Sequence, residues 1–164
     1  MRNRQSGAVL FVAMMMLVIL SIIGVTLARM QTVEERMARN DNSRQMAMQA
    51  AEAALRNAQA VLANPPSVAT FGGNTAGYYA LSPATGSMIP TLNWNVAANV
   101  TTYTGPALSD LPTLARTPRV VMELMGYGSL AGDDISNPPP TYRITVQGLN
   151  ADGTPGVILQ SIYR

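Results

Sequence analysis

Apolar and polar positions divide this chain into three regimes. Residues 8–28 carry no charge, and their apolar run is interrupted only by Ser21, Gly24 and Thr26. At about 1.5 Å per helical residue this run is about 30 Å long, the thickness of the hydrocarbon core of a bilayer. A cleavable secretory signal has an apolar region of about 7–15 residues followed by a small-x-small site. Here the run continues into Arg29, so a retained membrane helix fits better. Residues 29–63 contain neither Pro nor Gly and are rich in Ala, Met, Gln, Glu and Arg, which predicts that the helix continues to residue 63. Met30, Val33 and Met37, and further on Met48, Ala51, Leu55, Ala58 and Leu62, recur at spacings of three and four and predict an apolar stripe. Between them, Asn40, Asp41, Asn42 and Ser43 carry side chains that compete for backbone hydrogen bonds, so a bend or frayed turn is expected there.

Asn64-Pro65-Pro66 ends the helical pattern, because proline disfavours helix in the residue before it and lacks the donor N–H. Residues 67–112 are rich in Gly, Thr, Asn, Ser and Pro and predict loops with short strands at 93–96 and 99–103. Trp94 is expected in the core. Three stronger strands follow at 119–125, 142–148 and 157–163, with β-branched or aromatic enrichment and partial alternation. Asp152-Gly153 and Pro155-Gly156 predict an antiparallel hairpin between the last two. The expected fold class is α+β: a long N-terminal helix, membrane-spanning in its first half and amphipathic in its second, packed on a small antiparallel sheet. The expected divisions are 1–7, 8–28, 29–63 and 64–164.

Composition narrows the chemistry. All 11 basic residues are Arg; there is no Lys, His or Cys. Imidazole bases, thiolate nucleophiles, thiolate or imidazole zinc sites and Lys Schiff bases are thereby excluded. The pI near 9.3 suggests an acidic partner, yet without Arg2 and Arg4 the remaining Arg equal the 9 Asp and Glu, which removes the case for direct nucleic-acid binding. Asp133 and Asp134 lack the ligand spacing of a calcium loop. No catalytic, cofactor or metal residues are expected. Glu52 and Arg56 stand in the favourable i, i+4 order, either as a solvated pair or facing charges on neighbouring copies. Ala50, Ala51, Ala53 and Ala54 permit close approach of another element, which is either the chain's own sheet or a neighbour. Positive charge flanks both ends of the apolar run and leaves its orientation open.

The order of parts, a basic segment ending in Gly7, an uninterrupted apolar run, an amphipathic extension and a small sheet domain, resembles the type IV pilins. More narrowly, VEERMARN (33–40) and AMQAAEAALR (47–56) resemble the LEERMAxN and AFQAAEAALR patterns of the PilX-type minor pilins, with Glu34, Glu35, Arg36, Met37, Glu52 and Arg56 as motif positions. PRVVMELMG (118–126), YRITVQG (142–148) and VILQSIYR (157–164) resemble the C-terminal pattern of the same family. The resemblance covers 5–63 and 118–164 and is absent between.

Membership of that family implies cleavage after Gly7 by a prepilin peptidase and N-methylation of Ala8. It also implies single-pass storage in the inner membrane with the globular domain in the periplasm, followed by a place in the pilus at the cell surface. Implied partners are the major pilin, other minor pilins, the inner-membrane assembly platform and a tip adhesin, with motility, adhesion and DNA uptake as the known outlets of such pili. The fifth mature position, where most pilins carry Glu, is Val12. That absence leads to the expectation of a non-enzymatic subunit that helps prime assembly and sits at or near the filament tip. A minor pseudopilin of a type II secretion system is the alternative within the class, and a single-span anchored envelope enzyme or binding protein is the alternative outside it.

Overall fold

The computed structural model describes residues 6–73, 76–81, 86–103, 116–127 and 138–164. Arg2, Arg4, Asp133 and Asp134 lie outside the described residues. One helix, α1 (Ser6–Ala63), is followed by a short helix α2 (Val68–Gly72) and five strands: β1 (Tyr78–Ala80), β2 (Thr101–Thr102), β3 (Arg116–Tyr127), β4 (Pro140–Leu149) and β5 (Pro155–Tyr163). The chain divides into two compact units at Asp41–Asn42.

In the unit ending at Asp41, every residue from 8 to 41 is exposed. The few polar side chains of the apolar run are satisfied within the helix: the Ser21 hydroxyl donates to the Leu17 carbonyl at 2.7 Å and Thr26 to Ile22 at 2.8 Å. Such back-bonding lets a hydroxyl sit in lipid without an unpaired donor. The helix is long and apolar enough to cross a membrane.

In the unit Asn42–Arg164, the remainder of α1 packs on one face of the sheet, whose order is β1-β3-β4-β5 with β2 beside β3. The sheet is mixed, which corrects the expected antiparallel one: β1 runs parallel to β3, with Tyr78 opposite Met122. A parallel pair requires a long crossover, and the chain between β1 and β3 supplies it. The three expected strands are present and longer than predicted, and β4 and β5 form the expected antiparallel hairpin. Residues 93–96 are a turn instead of a strand, because the Asn93 side-chain oxygen accepts the Asn95 N–H at 3.0 Å and its carbonyl accepts from Val96. Within 99–103, only Thr101–Thr102 is strand.

The helix keeps its hydrogen-bonded pattern through residues 40–43, so the expected break is not there. The Ser43 hydroxyl is engaged elsewhere: it accepts the Ala151 N–H at the β4–β5 turn, 3.1 Å away. The buried stripe also differs from prediction. Ala47, Ala50, Ala51, Ala54, Ala58 and Leu62 are buried, whereas Met48 is exposed and Leu55 half-buried. Seated on the sheet, this alanine face meets Val120, Met122 and Leu124 of β3 and Tyr142, Ile144 and Val146 of β4 in one core. Phe71 of α2 is fully buried in that core, edge-on to Tyr78 at 5.4 Å and tilted on Tyr142 at 5.3 Å. On the opposite face, Tyr79, Val100 and Val121 are covered by Met88, Ile89, Leu92 and Trp94. Trp94 is half-buried there, close to the core role expected for it.

Candidate functional site

Gly7 and Ala8, the expected cleavage junction, follow Ser6 in the first turn of α1. One turn on, Val12 lies in an apolar surface with Ala8, Val9, Ala13 and Met16. Around the same helix, Phe11, Met14, Met15, Val18 and Ile19 line a second apolar depression. A carboxylate at position 12 would stand in apolar surroundings, where an unpaired charge is strongly disfavoured. This surface therefore suits lipid or other apolar helices.

The motif positions do not converge on one place. Glu34, Glu35, Arg36 and Met37 belong to the unit ending at Asp41, and Glu52 and Arg56 to the other. Glu35 pairs with Arg39 at 3.2 Å and Glu52 with Arg56 at 3.2 Å, each across one turn of helix, the first pair exposed and the second with Glu52 half-buried. Such pairs contribute about 0.3–0.5 kcal/mol. Glu34 and Arg36 are exposed beside them, as is Met37.

The alanine run answers a question that sequence alone leaves open: it approaches the chain's own sheet. A Cβ added to Gly148 of β4 would collide with the Ala47 carbonyl oxygen and stand 3.1 Å from the Ala51 Cβ. Gly148 is thus required by close contact of strand and helix backbones. Gly77, before β1, is required on two grounds: its φ is +81°, and a Cβ would meet the Thr101 N and the Val120 carbonyl.

A buried polar cluster holds the outer layer to the sheet. Glu123 of β3 is fully buried. Its carboxylate accepts from the Ser87 hydroxyl at 2.8 Å, the Met88 N–H at 3.0 Å and the Arg143 Nε at 2.8 Å. Arg143 stands directly opposite it on β4, and its Nη2 lies close to the same carboxylate without hydrogen-bond alignment. Farther along, Arg119 donates to the Asn95 side-chain oxygen at 2.9 Å and to Gln147 at 3.2 Å, fastening the middle of the same segment. The Tyr79 hydroxyl donates to the Asn99 carbonyl at 2.9 Å, and burial pushes the Tyr79 pKa above its ordinary value. Burial, and then the neighbouring Tyr127, push Tyr142 up as well.

These roles were not among the sequence expectations. One signal was available for Glu123: an acidic residue inside VVMELM breaks an otherwise apolar strand and demands a partner. Which residue answers it is set by strand register. Glu123 is wholly engaged in structural bonds, and no group of three or more His, Cys, Asp or Glu among the described residues is placed to hold a metal.

The family model described as PilX N-terminal matches residues 6–56. Over those residues the chain is similar to the PilX-type type IV pilins. The match spans the apolar run and both quoted motifs, and it supports a minor pilin of the type IV pilus. No curated protein and no solved structure matches the chain. The family is a structural one, and the long apolar helix fits a membrane-anchored pilin that interacts with other pilus components.

Proposed function

We propose that this minor pilin primes pilus assembly and occupies the filament tip or a place next to it. Its leader is removed after Gly7 by a prepilin peptidase, Ala8 becomes the methylated amino terminus, and the subunit waits in the inner membrane with its sheet domain in the periplasm. On extraction, the apolar surface of residues 8–28 exchanges lipid for the helices of the major pilin and other minor pilins.

Val12 carries this reading. In most pilins the corresponding Glu is thought to hold the charged amino terminus of a neighbouring subunit within the apolar core. Here that position is part of an apolar surface with Ala8, Val9, Ala13 and Met16. A subunit without this carboxylate offers no such partner, which suits a subunit that has no neighbour above it. The assembly platform and a tip adhesin are its remaining contacts in this scheme.

The test combines two measurements. Mass spectrometry of the amino-terminal peptide is expected to find methylated Ala8 as the first residue, and cleavage elsewhere would overturn the processing. Gold labelling of sheared pili is expected to mark one end, and label along the whole filament would overturn the tip position. Val12→Glu is expected to reduce pilus number, and unchanged priming with unchanged location would remove the role given to Val12.

A further inference from the structure

Residues 29–41 of α1 carry the charges that follow the apolar run, and every one of these residues is exposed. Their apolar members Met30, Val33 and Met37 are spaced by three and four and form one seam, each more than half exposed. In a heptad written a to g, Met30 and Met37 take a and Val33 takes d, and Asn40 closes the seam at the next d. Arg29 and Arg36 then both fall at g, along one flank, and Glu34 and Asp41 both fall at e, along the other. Glu35 and Arg39 take f and c, on the side away from the seam, where they bond each other within the helix. The flank charges have no such arrangement. Positions three and four residues from Arg29, Glu34 and Arg36 hold no opposite charge, and among the described residues no ion pair engages any of the three.

We propose that residues 29–41 pair, parallel and in register, with the same residues of a second copy of this chain. The charges themselves choose the occupant and its direction. When two such helices lie parallel and in register, each g position faces the next e position along the other helix, whereas antiparallel helices set g against g and e against e. The next e after Arg29 is Glu34, and the next after Arg36 is Asp41. A parallel second copy therefore sets Glu34 against Arg29 and Asp41 against Arg36, on both sides of the seam at once. An antiparallel copy would set Arg against Arg and acid against acid. The seam is short, and residues 8–28 of the same helix assist it: two copies spanning one bilayer or micelle share a direction and a depth, which raises their effective concentration.

The chain has no Cys of its own, so single cysteines report the pairing. Val33→Cys places a thiol in the seam, and Ala38→Cys, at b, places a reference away from it. The full-length protein is oxidised in detergent micelles and in native membranes. A disulfide-linked homodimer through Val33→Cys is expected, exceeding that through Ala38→Cys by about tenfold. Equal linkage at both positions would be random collision and overturns the proposal, as does a monomer in both settings or linkage of Val33→Cys to a different polypeptide. Charge reversal then reads the flanks. In the Val33→Cys chain, Arg29→Glu with Arg36→Glu makes both flanks acidic, and Glu34→Arg with Asp41→Arg makes both basic. Each reversed chain is expected to lose about tenfold in linkage to itself, and a mixture of the two is expected to restore it as a heterodimer. Linkage that ignores the reversals would mean association through residues 8–28 alone and overturns the pairing of 29–41. The pairing does not depend on the tip position: gold label along the whole filament would sink only the latter.

Discussion

Gly148→Ala adds one methyl group at the point where β4 and α1 come closest. The added Cβ would overlap the Ala47 carbonyl oxygen, lie 3.0 Å from the Ala47 carbonyl carbon and lie 3.1 Å from the Ala51 Cβ. Carbon atoms in contact rest at about 3.5–4.0 Å. The first two obstacles are backbone, so relief requires the helix and the sheet to part by roughly half an ångström or more, disturbing the alanine seam along its length. Overpacking of this kind destabilises by about 1–3 kcal/mol, and rigid backbone neighbours place this site at the upper end. Loss of glycine's extra freedom in the unfolded chain offsets about 0.4–1 kcal/mol, since φ at Gly148 is not in the left-handed region. The net expectation is a loss of about 2 kcal/mol, or roughly 5–10 °C in melting temperature. Urea titration of the full-length protein in detergent micelles, followed by the fluorescence of Trp94, the single Trp, reads it directly. Gly156→Ala is the internal comparison: its Cβ meets chiefly the end of the Asn150 side chain, which can turn aside, with the Ala47 Cβ at 3.1 Å as the one rigid neighbour, and a smaller loss than for Gly148→Ala is expected. A Gly148→Ala protein as stable as wild type would refute the backbone contact. Full rescue of Gly148→Ala by Ala51→Gly would place the clash in a side chain instead.

Three further outcomes follow from the core and the outer layer. Arg143→Met leaves the buried Glu123 with Ser87 and Met88 as its remaining donors and is expected to cost about 2–4 kcal/mol in the same titration, while Glu123→Gln, which keeps an acceptor for those donors, is expected to cost less. Phe71→Ala empties a fully buried site between Tyr78 and Tyr142 and is expected to cost about 3–5 kcal/mol, measured by denaturant midpoint. Tyr79 and Tyr142 both have raised pKa values in the fold, so the folded chain holds protons that the unfolded chain releases above pH 10.0. Their contribution is complete below that pH and is lost as pH climbs toward the folded values. Melting temperatures between pH 9 and 12 are expected to fall, and less steeply for Tyr79→Phe, which should also lose about 1 kcal/mol at neutral pH with its bond to Asn99.

Local signals made the long helix, its end before Pro65-Pro66 and the three long strands legible, because each rests on a run of residues with one consistent preference. What escaped depends on distant partners. Tyr78–Ala80 is too short to show alternation, and its parallel register exists only because Met122 and its neighbours lie beside it. The docking face of α1 is mostly alanine, a residue with little hydrophobic contrast, so a stripe drawn through Met48 and Leu55 is displaced from the face that alanine's small size selects. Ser43 illustrates the same point for polarity: its competition with the helix is removed by the Ala151 N–H, which lies 108 residues away along the chain. The expected site positions all fall on α1, but their meaning rests on a comparison among pilins, because Val12 is unremarkable in any apolar helix.

The two units solve the burial problem in different ways. Residues 42–164 build their own core, with α1 supplying its alanine face and the sheet supplying the larger side chains. Residues 8–41 bury nothing: Leu10 is 73% exposed and Phe11 65%. A surface of that size is incompatible with water, at about 25 cal/mol for each Å² of apolar area. Among the described residues nothing covers it, and lipid or other apolar helices suit it. The intrahelical bonds of Ser21 and Thr26 serve in either setting, since they need neither water nor a neighbour. A lesion such as Gly148→Ala is therefore expected to impair folding of the sheet unit while leaving membrane insertion through residues 8–28 intact, as read by membrane fractionation.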